Sequence, residues 1–300
     1  MKNKQTILGG AILLGLALIY YMTQIGGLDT KTVDSEQYRF DKALVSSIEV
    51  NSAEGMVSFV EDNGEWFLED YPVDTMRMNN FLEHFSSLTV DRLITSKVEK
   101  HPKYEVDETS TSILFKSNAG NELLRLMIGK MGAHYQETFV REVESDEVYA
   151  VKTSLSRYKS LKPEGFWDKT MTNIDIDKIN SVIFQGELNY MLLREGPVWT
   201  YNGENVDYEK VSNLLRPFEN LKGNNFVDSI TEENPFYQSL QITLESGESI
   251  DIAFHFKDEN ENTLLVSVSN KSKVFEYSKA GLTRFDKGLE DLASDPAPEG

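Results

Sequence analysis

Cysteine is absent from the 300 residues of the chain. That excludes disulfides, thiol catalysis, cysteine-ligated zinc, iron–sulfur clusters and a lipidated cysteine, but not export, because a core of this size folds without covalent staples. Histidine is scarce: His84, His101, His134 and His255 are the four, and no two stand at the H-x-x-x-H spacing of a metal site. Each reads as an ordinary surface or core residue, with His84 on the polar side of a helix. There is no G-x-S-x-G nucleophile elbow and no glycine loop to cradle phosphates. Basic residues are in deficit, 30 Lys and Arg against 49 Asp and Glu, for a net charge of -19. Such a field repels nucleic acid and disfavours docking on an anionic lipid surface. What the acids do well is keep an exported domain soluble, while 40% hydrophobic residues are enough to build a core.

Long apolar runs are also missing, with one exception at the start, "MKNKQTILGGAILLGLALIYYMTQIGGLD". No charge falls between Lys4 and Asp29, and Ile7 to Ile25 is about the 20 residues that a helix rising ~1.5 Å per residue needs to cross a bilayer. Tyr20 and Tyr21 suit its far interface, and Lys2 and Lys4 keep the N-terminus cytoplasmic. Small residues are missing where a signal peptidase would cut, so an uncleaved anchor over residues 1–28 is preferred to a cleaved leader. These features predict a single-pass inner-membrane protein whose bulk is extracytoplasmic. Residues 29–40 read as a polar tether with little structure of its own.

The rest of the chain repeats itself at an offset of about 133 residues. "WFLEDYPVDTMRMNNFLEHFSSL" matches "WTYNGENVDYEKVSNLLRPFENL" without gaps. Trp66, Val73, Asp74 and Phe85 pair with Trp199, Val206, Asp207 and Phe218, and Asn80 pairs with Asn213. Further on, Leu155, Arg157 and Tyr158 pair with Leu282, Arg284 and Phe285. Repeat 1 spans residues 41–168 and repeat 2 residues 177–287, with residues 288–300 a disordered tail.

Each copy alternates apolar and polar residues in β-branched and aromatic segments, the pattern of half-buried strands. Asn63-Gly64 and Gly196-Pro197 are two-residue hairpin turns. A helix follows in each, with Met78, Phe81, Leu82, Phe85 and Leu88 in one apolar stripe and Val211, Leu214, Leu215, Phe218 and Leu221 in the other. Asp74 and Asp207 stand at N-cap positions, and Val73 and Val206 at hydrophobic-staple positions. Pro217 should kink or loosen the second helix. The predicted class is α+β: an N-terminal transmembrane helix, then two tandem units, each a mainly antiparallel sheet with one main packed helix.

The order of these motifs resembles a bacterial family. A single anchor precedes "I-x-V" strands, an "NGEW" hairpin and a "VD" helix start; "LITSKVEKHPKYEVDETSTSILF", an "IGK" strand end and "VYAV" follow. This is similar to the domain of unknown function 4340 family, across about Phe40 to Phe285. The family's tyrosine–glycine–leucine–aspartate-like run stands here as "YEVDE", Tyr104 to Glu108, without the glycine. The resemblance implies an envelope accessory protein beside the permease-like and substrate-binding-like subunits of gliding-motility-type ABC transporter systems. It brings no catalytic residues.

Two stretches remain. In "KDENENT", Asp258, Asn260 and Asn262 alternate as in a calcium loop, but Thr263 and Ser269 replace the required glycine and bidentate glutamate, so a solvated hairpin tip is preferred. In "GFWDK", Phe166 and Trp167 could anchor a partner, although cement between the repeats is the plainer role. The sequence therefore predicts a non-enzymatic scaffold or accessory subunit with no cofactor and no metal, whose partners are membrane-protein subunits. The alternatives are an extracytoplasmic hydrolase working through carboxylates and a binding module for a cationic ligand.

Overall fold

A computed structural model describes residues 33–258 and 262–294. The predicted anchor, Ile7 to Ile25, lies outside these residues, and among the described residues no helix is long and apolar enough to cross a membrane. The chain divides into two compact units between Trp167 and Asp168.

In the first unit, β1 (Val45–Ser52), β2 (Gly55–Asp62), β3 (Glu65–Leu68) and β4 (Tyr71–Pro72) form a meander. Then come α1 (Thr75–Ser86), β5 (Val90–Thr95) and the single turn α2 (His101–Tyr104). A second meander of β6 (Ser112–Ser117), β7 (Glu122–Met131), β8 (Thr138–Glu142) and β9 (Val148–Val151) completes a nine-stranded sheet of order β4-β3-β2-β1-β6-β7-β8-β9-β5. Every pairing is antiparallel. Asn63 and Gly64 both have positive φ, 53° and 88°, as a type I′ hairpin turn requires.

Period-two patterning sorts this sheet's side chains onto two faces. Ile48, Phe59, Phe115, Leu126, Ile128 and Val140 join Met78, Phe81 and Phe85 of α1 in the main core. The alternate residues Met127, Phe139, Val148 and Ala150 make a second, smaller cluster with Val106, from the segment that carries α2. β8 as far as Arg141 and the whole of β9 are therefore buried on both faces, which explains the unbroken apolar run of β9, Val148–Val151.

The second unit contains β10 (Thr170–Thr172), β11 (Ile179–Gln185), β12 (Tyr190–Glu195), β13 (Val198–Tyr201), β14 (Glu204–Val206) and α3 (Tyr208–Leu215). It continues with β15 (Leu221–Lys222), β16 (Asn225–Val227), β17 (Phe236–Leu244), β18 (Ser249–Phe256), β19 (Thr263–Val268), β20 (Val274–Ser278) and α4 (Leu289–Leu292). β10 and β15 pair separately, and the large sheet runs β14-β13-β12-β11-β17-β18-β19-β20-β16. Position for position, this is the strand order of the first unit's sheet. α3 ends at Leu215 and a 3₁₀ turn, Arg216–Glu219, takes over. Pro217 cannot donate the next helical hydrogen bond, so the backbone tightens, and Phe218 remains fully buried.

Two predicted boundaries are corrected. Residues 33–40 are not a free tether: Tyr38 is 3% exposed and edge-on to Tyr149, Phe40 packs on Phe115, and the Val90 N–H donates to the Ser35 carbonyl. Likewise, the tail from 288 does not begin free. α4 is ordered, Leu292 is 3% exposed, and its carbonyl accepts the Asp207 N–H at 2.8 Å. Short aromatic or leucine anchors in polar company hold both segments.

Candidate functional site

The helix start in "WFLEDYPVD" is built from backbone hydrogen bonds. The Val73 N–H donates to the Trp66 carbonyl at 2.8 Å, and Val73 bridges to Trp167. Asp74 Oδ1 accepts the Arg77 N–H at 3.0 Å, while the Asp74 N–H donates to the Phe166 carbonyl at 2.8 Å. Phe166 stacks edge-on to Phe59 and Phe81, and Trp167 lies 4.4 Å from the Tyr71 ring. Both aromatics of "GFW" thus pack on their own unit, against the helix start and the hairpin beside it. In the second unit Asp207 Oδ1 accepts the Lys210 N–H at 2.9 Å, and Leu292 supplies the carbonyl that Phe166 supplies in the first. Trp199 is buried in β13, Trp66 half-buried in β3.

Because α1 buries Met78, Phe81, Leu82 and Phe85, its flank presents Arg77, Asn80 and His84. Opposite stand the 3₁₀ turn Ser156–Tyr158 and the return segment to Phe166. Between them lies a cleft of about 280 Å³ with Arg77, His84, Arg157 and Lys162 in its lining. The Arg157 guanidinium lies against the imidazole, with Nη2 2.8 Å from His84 Nδ1 and 3.0 Å from Nε2, and sits 4.9 Å from the Tyr158 ring centre. The Tyr158 hydroxyl is 2.7 Å from His84 Nδ1. Partial burial, then the neighbouring Arg157, pushes the His84 pKa below its ordinary value. The ring therefore stays neutral at pH 7 and accepts from the tyrosine. Burial raises the Tyr158 hydroxyl pKa.

The flank of α3 carries a second cleft, of about 430 Å³, with Lys210, Asn213, Arg284, Lys287 and Asp291 in its lining. Arg284 Nε donates to the Gly281 carbonyl at 3.0 Å, and Lys210 Nζ to the Ala293 carbonyl at 2.8 Å. Arg77 and Lys210, Asn80 and Asn213, and Arg157 and Arg284 thus occupy matching places in the two units. His84 is matched by Pro217. The sequence carried the signal, because Asn80 with Asn213 and Arg157 with Arg284 are polar identities in the internal alignment. An alignment alone does not say that they converge on a concavity.

A larger cavity, about 590 Å³, lies under the α2 segment. Arg141 is 6% exposed there, and its Nε donates to the Val106 carbonyl at 2.8 Å. Its Nη1 donates to the carbonyls of Val143 at 2.8 Å and Ser145 at 2.9 Å. His101 Nε2 donates to the Asp146 carbonyl at 3.0 Å. Both side chains spend their donors on backbone and tie two loops together. Part of "KDENENT" lies outside the described residues. Among the described residues no three His, Asp or Glu side chains are grouped to hold a metal ion.

The sequence matches the family described as Domain of unknown function (DUF4340) over residues 66–241, more than half of the chain. No curated protein and no solved structure matches it.

Proposed function

The chain belongs to the DUF4340 family, and from that premise we propose that it is a non-enzymatic accessory or scaffold subunit, anchored in the inner membrane through Ile7 to Ile25. Its two sheet units stand outside the membrane beside the subunits of a gliding-motility-type ABC transporter. One observation carries this reading. A single uncharged run long enough to span a bilayer, preceded by Lys2 and Lys4, stands ahead of 49 acidic residues and no cysteine. We further propose that the units are tandem copies, a reading supported by their common strand order and by the matched capping aspartates.

Gentle detergent extraction of the full chain, followed by affinity purification and identification of co-purifying proteins, tests the assignment. Recovery from the membrane fraction together with permease-like subunits is the expected result. A processed protein in the soluble extracytoplasmic fraction, or one extracted without any membrane-protein partner, overturns it.

A further inference from the structure

Arginine in this chain has an abundance of carboxylates to choose from, and four of the nine described arginines use them. Arg39, Arg92, Arg125 and Arg194 each lie within 4 Å of an acid. Among the described residues Arg77, Arg141, Arg157, Arg216 and Arg284 form no such pair; Arg141 donates to backbone carbonyls instead, and three of the other four line the two clefts. Lys162 and Lys287 in the same linings form none either. Cations left without acids, gathered in a concavity of a chain with net charge -19, are placed against the sign of the whole molecule. Beside the helix of the second unit Arg284 and Lys287 stand likewise, with Asp291 in the same lining.

The first cleft is the better built of the two. Arg77 reaches it from α1, Arg157 from the 3₁₀ turn and Lys162 from the return segment, and no acid joins its lining. Arg157 is held in place by its contacts with His84 and Tyr158, so part of the ordering cost of a guanidinium is met before a ligand arrives. Two forked donors and an ammonium suit an oxyanion bearing more than one charge, and Asn80 adds a neutral amide. Phe166 and Leu161 supply an apolar wall.

We propose that the cleft of the first unit binds a phosphate monoester group, with Arg77, Arg157 and Lys162 as its cationic ligands and Asn80 as a neutral donor. The second cleft, with Asp291 in its lining, binds the same group more weakly. The local preference is opposite to the cationic ligand that net charge alone suggests. The assignment is independent of the scaffold reading, because phosphate would be bound whether or not a transporter subunit is found.

Titration of the full chain in detergent with inorganic phosphate and with glycerol 3-phosphate, followed by calorimetry, tests it. Nanodiscs with and without phosphatidic acid form a parallel arm. Saturable binding is expected, weakened about ten-fold or more by Arg157→Gln, as for loss of a charge-assisted partner. Arg77→Gln should act in the same direction and Arg284→Gln less. Lys42→Gln, which removes a cation paired to Glu83 elsewhere on α1, should change affinity less than about two-fold. Binding of soluble glycerol 3-phosphate marks a soluble ligand, and binding only to phosphatidic acid discs marks a lipid-borne one; sensitivity to Arg157→Gln in either arm supports the site. Melting curves of each variant separate loss of ligand from loss of fold. No saturable binding in either arm, or equal affinities for folded Arg157→Gln and Lys42→Gln proteins, overturns it.

Discussion

Asp74 and Asp207 keep their places in two segments whose intervening residues diverge, because a helix start imposes the same demand in both. The first N–H groups of α1 and α3 have no intrahelical acceptor, and each aspartate carboxylate takes one. Asp74→Ala and Asp207→Ala should each lower stability by ~1 kcal/mol, the usual cost of a lost cap, read as a shifted urea midpoint at unchanged slope. The residues between them explain themselves by backbone angle. Glu69 has φ 55°, where the second unit has Asn202 at 49° followed by Gly203 at 95°. "LEDY" is thus a hairpin turn built with less suitable residues than "YNGE", which answers for its divergence without a ligand. Glu105 raises the same point more sharply. It follows α2 at φ 58°, ψ 44°, the left-handed position that closes helices and favours glycine. It is also where the resembled family's run carries glycine. Its ion pair with Lys159 is exposed and worth little. Glu105→Gly should therefore stabilise the protein by ~1 kcal/mol by relieving that strain. A lower denaturation midpoint in this variant would assign the ion pair the larger share.

At the scale of elements, the strands and both main helices were legible because burial on one face writes a period into the sequence. α1 buries the predicted Met78, Phe81, Leu82 and Phe85. Phe85 and Phe218 are 0% exposed, so Phe85→Ala or Phe218→Ala should cost ~3–5 kcal/mol each, measured by denaturant unfolding. The edge strands β5 and β16 were not legible. β5 carries charges at Asp91 and Arg92, and β16 has only three residues, so neither shows a clear alternation. The layer under α2 escaped for another reason: its cluster depends on Val106, which meets Met127 and Phe139 only after the chain folds back. Gly129 makes that approach possible. A Cβ there would stand 2.4 Å from the Tyr104 carbonyl oxygen and 2.7 Å from Val106 Cγ1. Gly129→Ala should cost ~1–3 kcal/mol as an overpacking change, with hydrogen exchange rising first in the α2 segment. The clefts were half legible, since the sequence pairs Arg157 with Arg284, but only the fold brings Arg77 and Lys162 to the same hollow.

For the whole molecule, the balance of charge sets how stability depends on pH. The Asp91 carboxyl is held below its ordinary range by Lys152 and Arg92, that of Glu83 by Lys42, and that of Asp107 by the Thr109 hydroxyl. The folded state binds fewer protons at these groups than the unfolded chain. Their stabilisation is present above the ordinary carboxylate values and is lost as pH falls through the folded ones. His84 acts in the same sense but from higher pH, because its folded pKa lies below the ordinary 6.5. Protonation begins to favour the unfolded chain as soon as pH drops below that value. Asp286 is the exception: burial, then Glu187, raises its pKa, so its stabilisation is present at low pH and fades as pH rises through the folded value. The two onsets are separable by experiment. Between about pH 7.5 and about pH 5.5 the lowered carboxyls stay ionised while His84 of the unfolded chain takes up a proton, so the His84 contribution to the unfolding free energy should decline shallowly. His84→Gln should flatten that interval even if it lowers stability throughout, because only the slope reports proton uptake. Below about pH 4 both proteins should lose stability steeply and in parallel. An unchanged slope in His84→Gln would place the neutral-range proton uptake on another group and remove the guanidinium–imidazole contact as its cause.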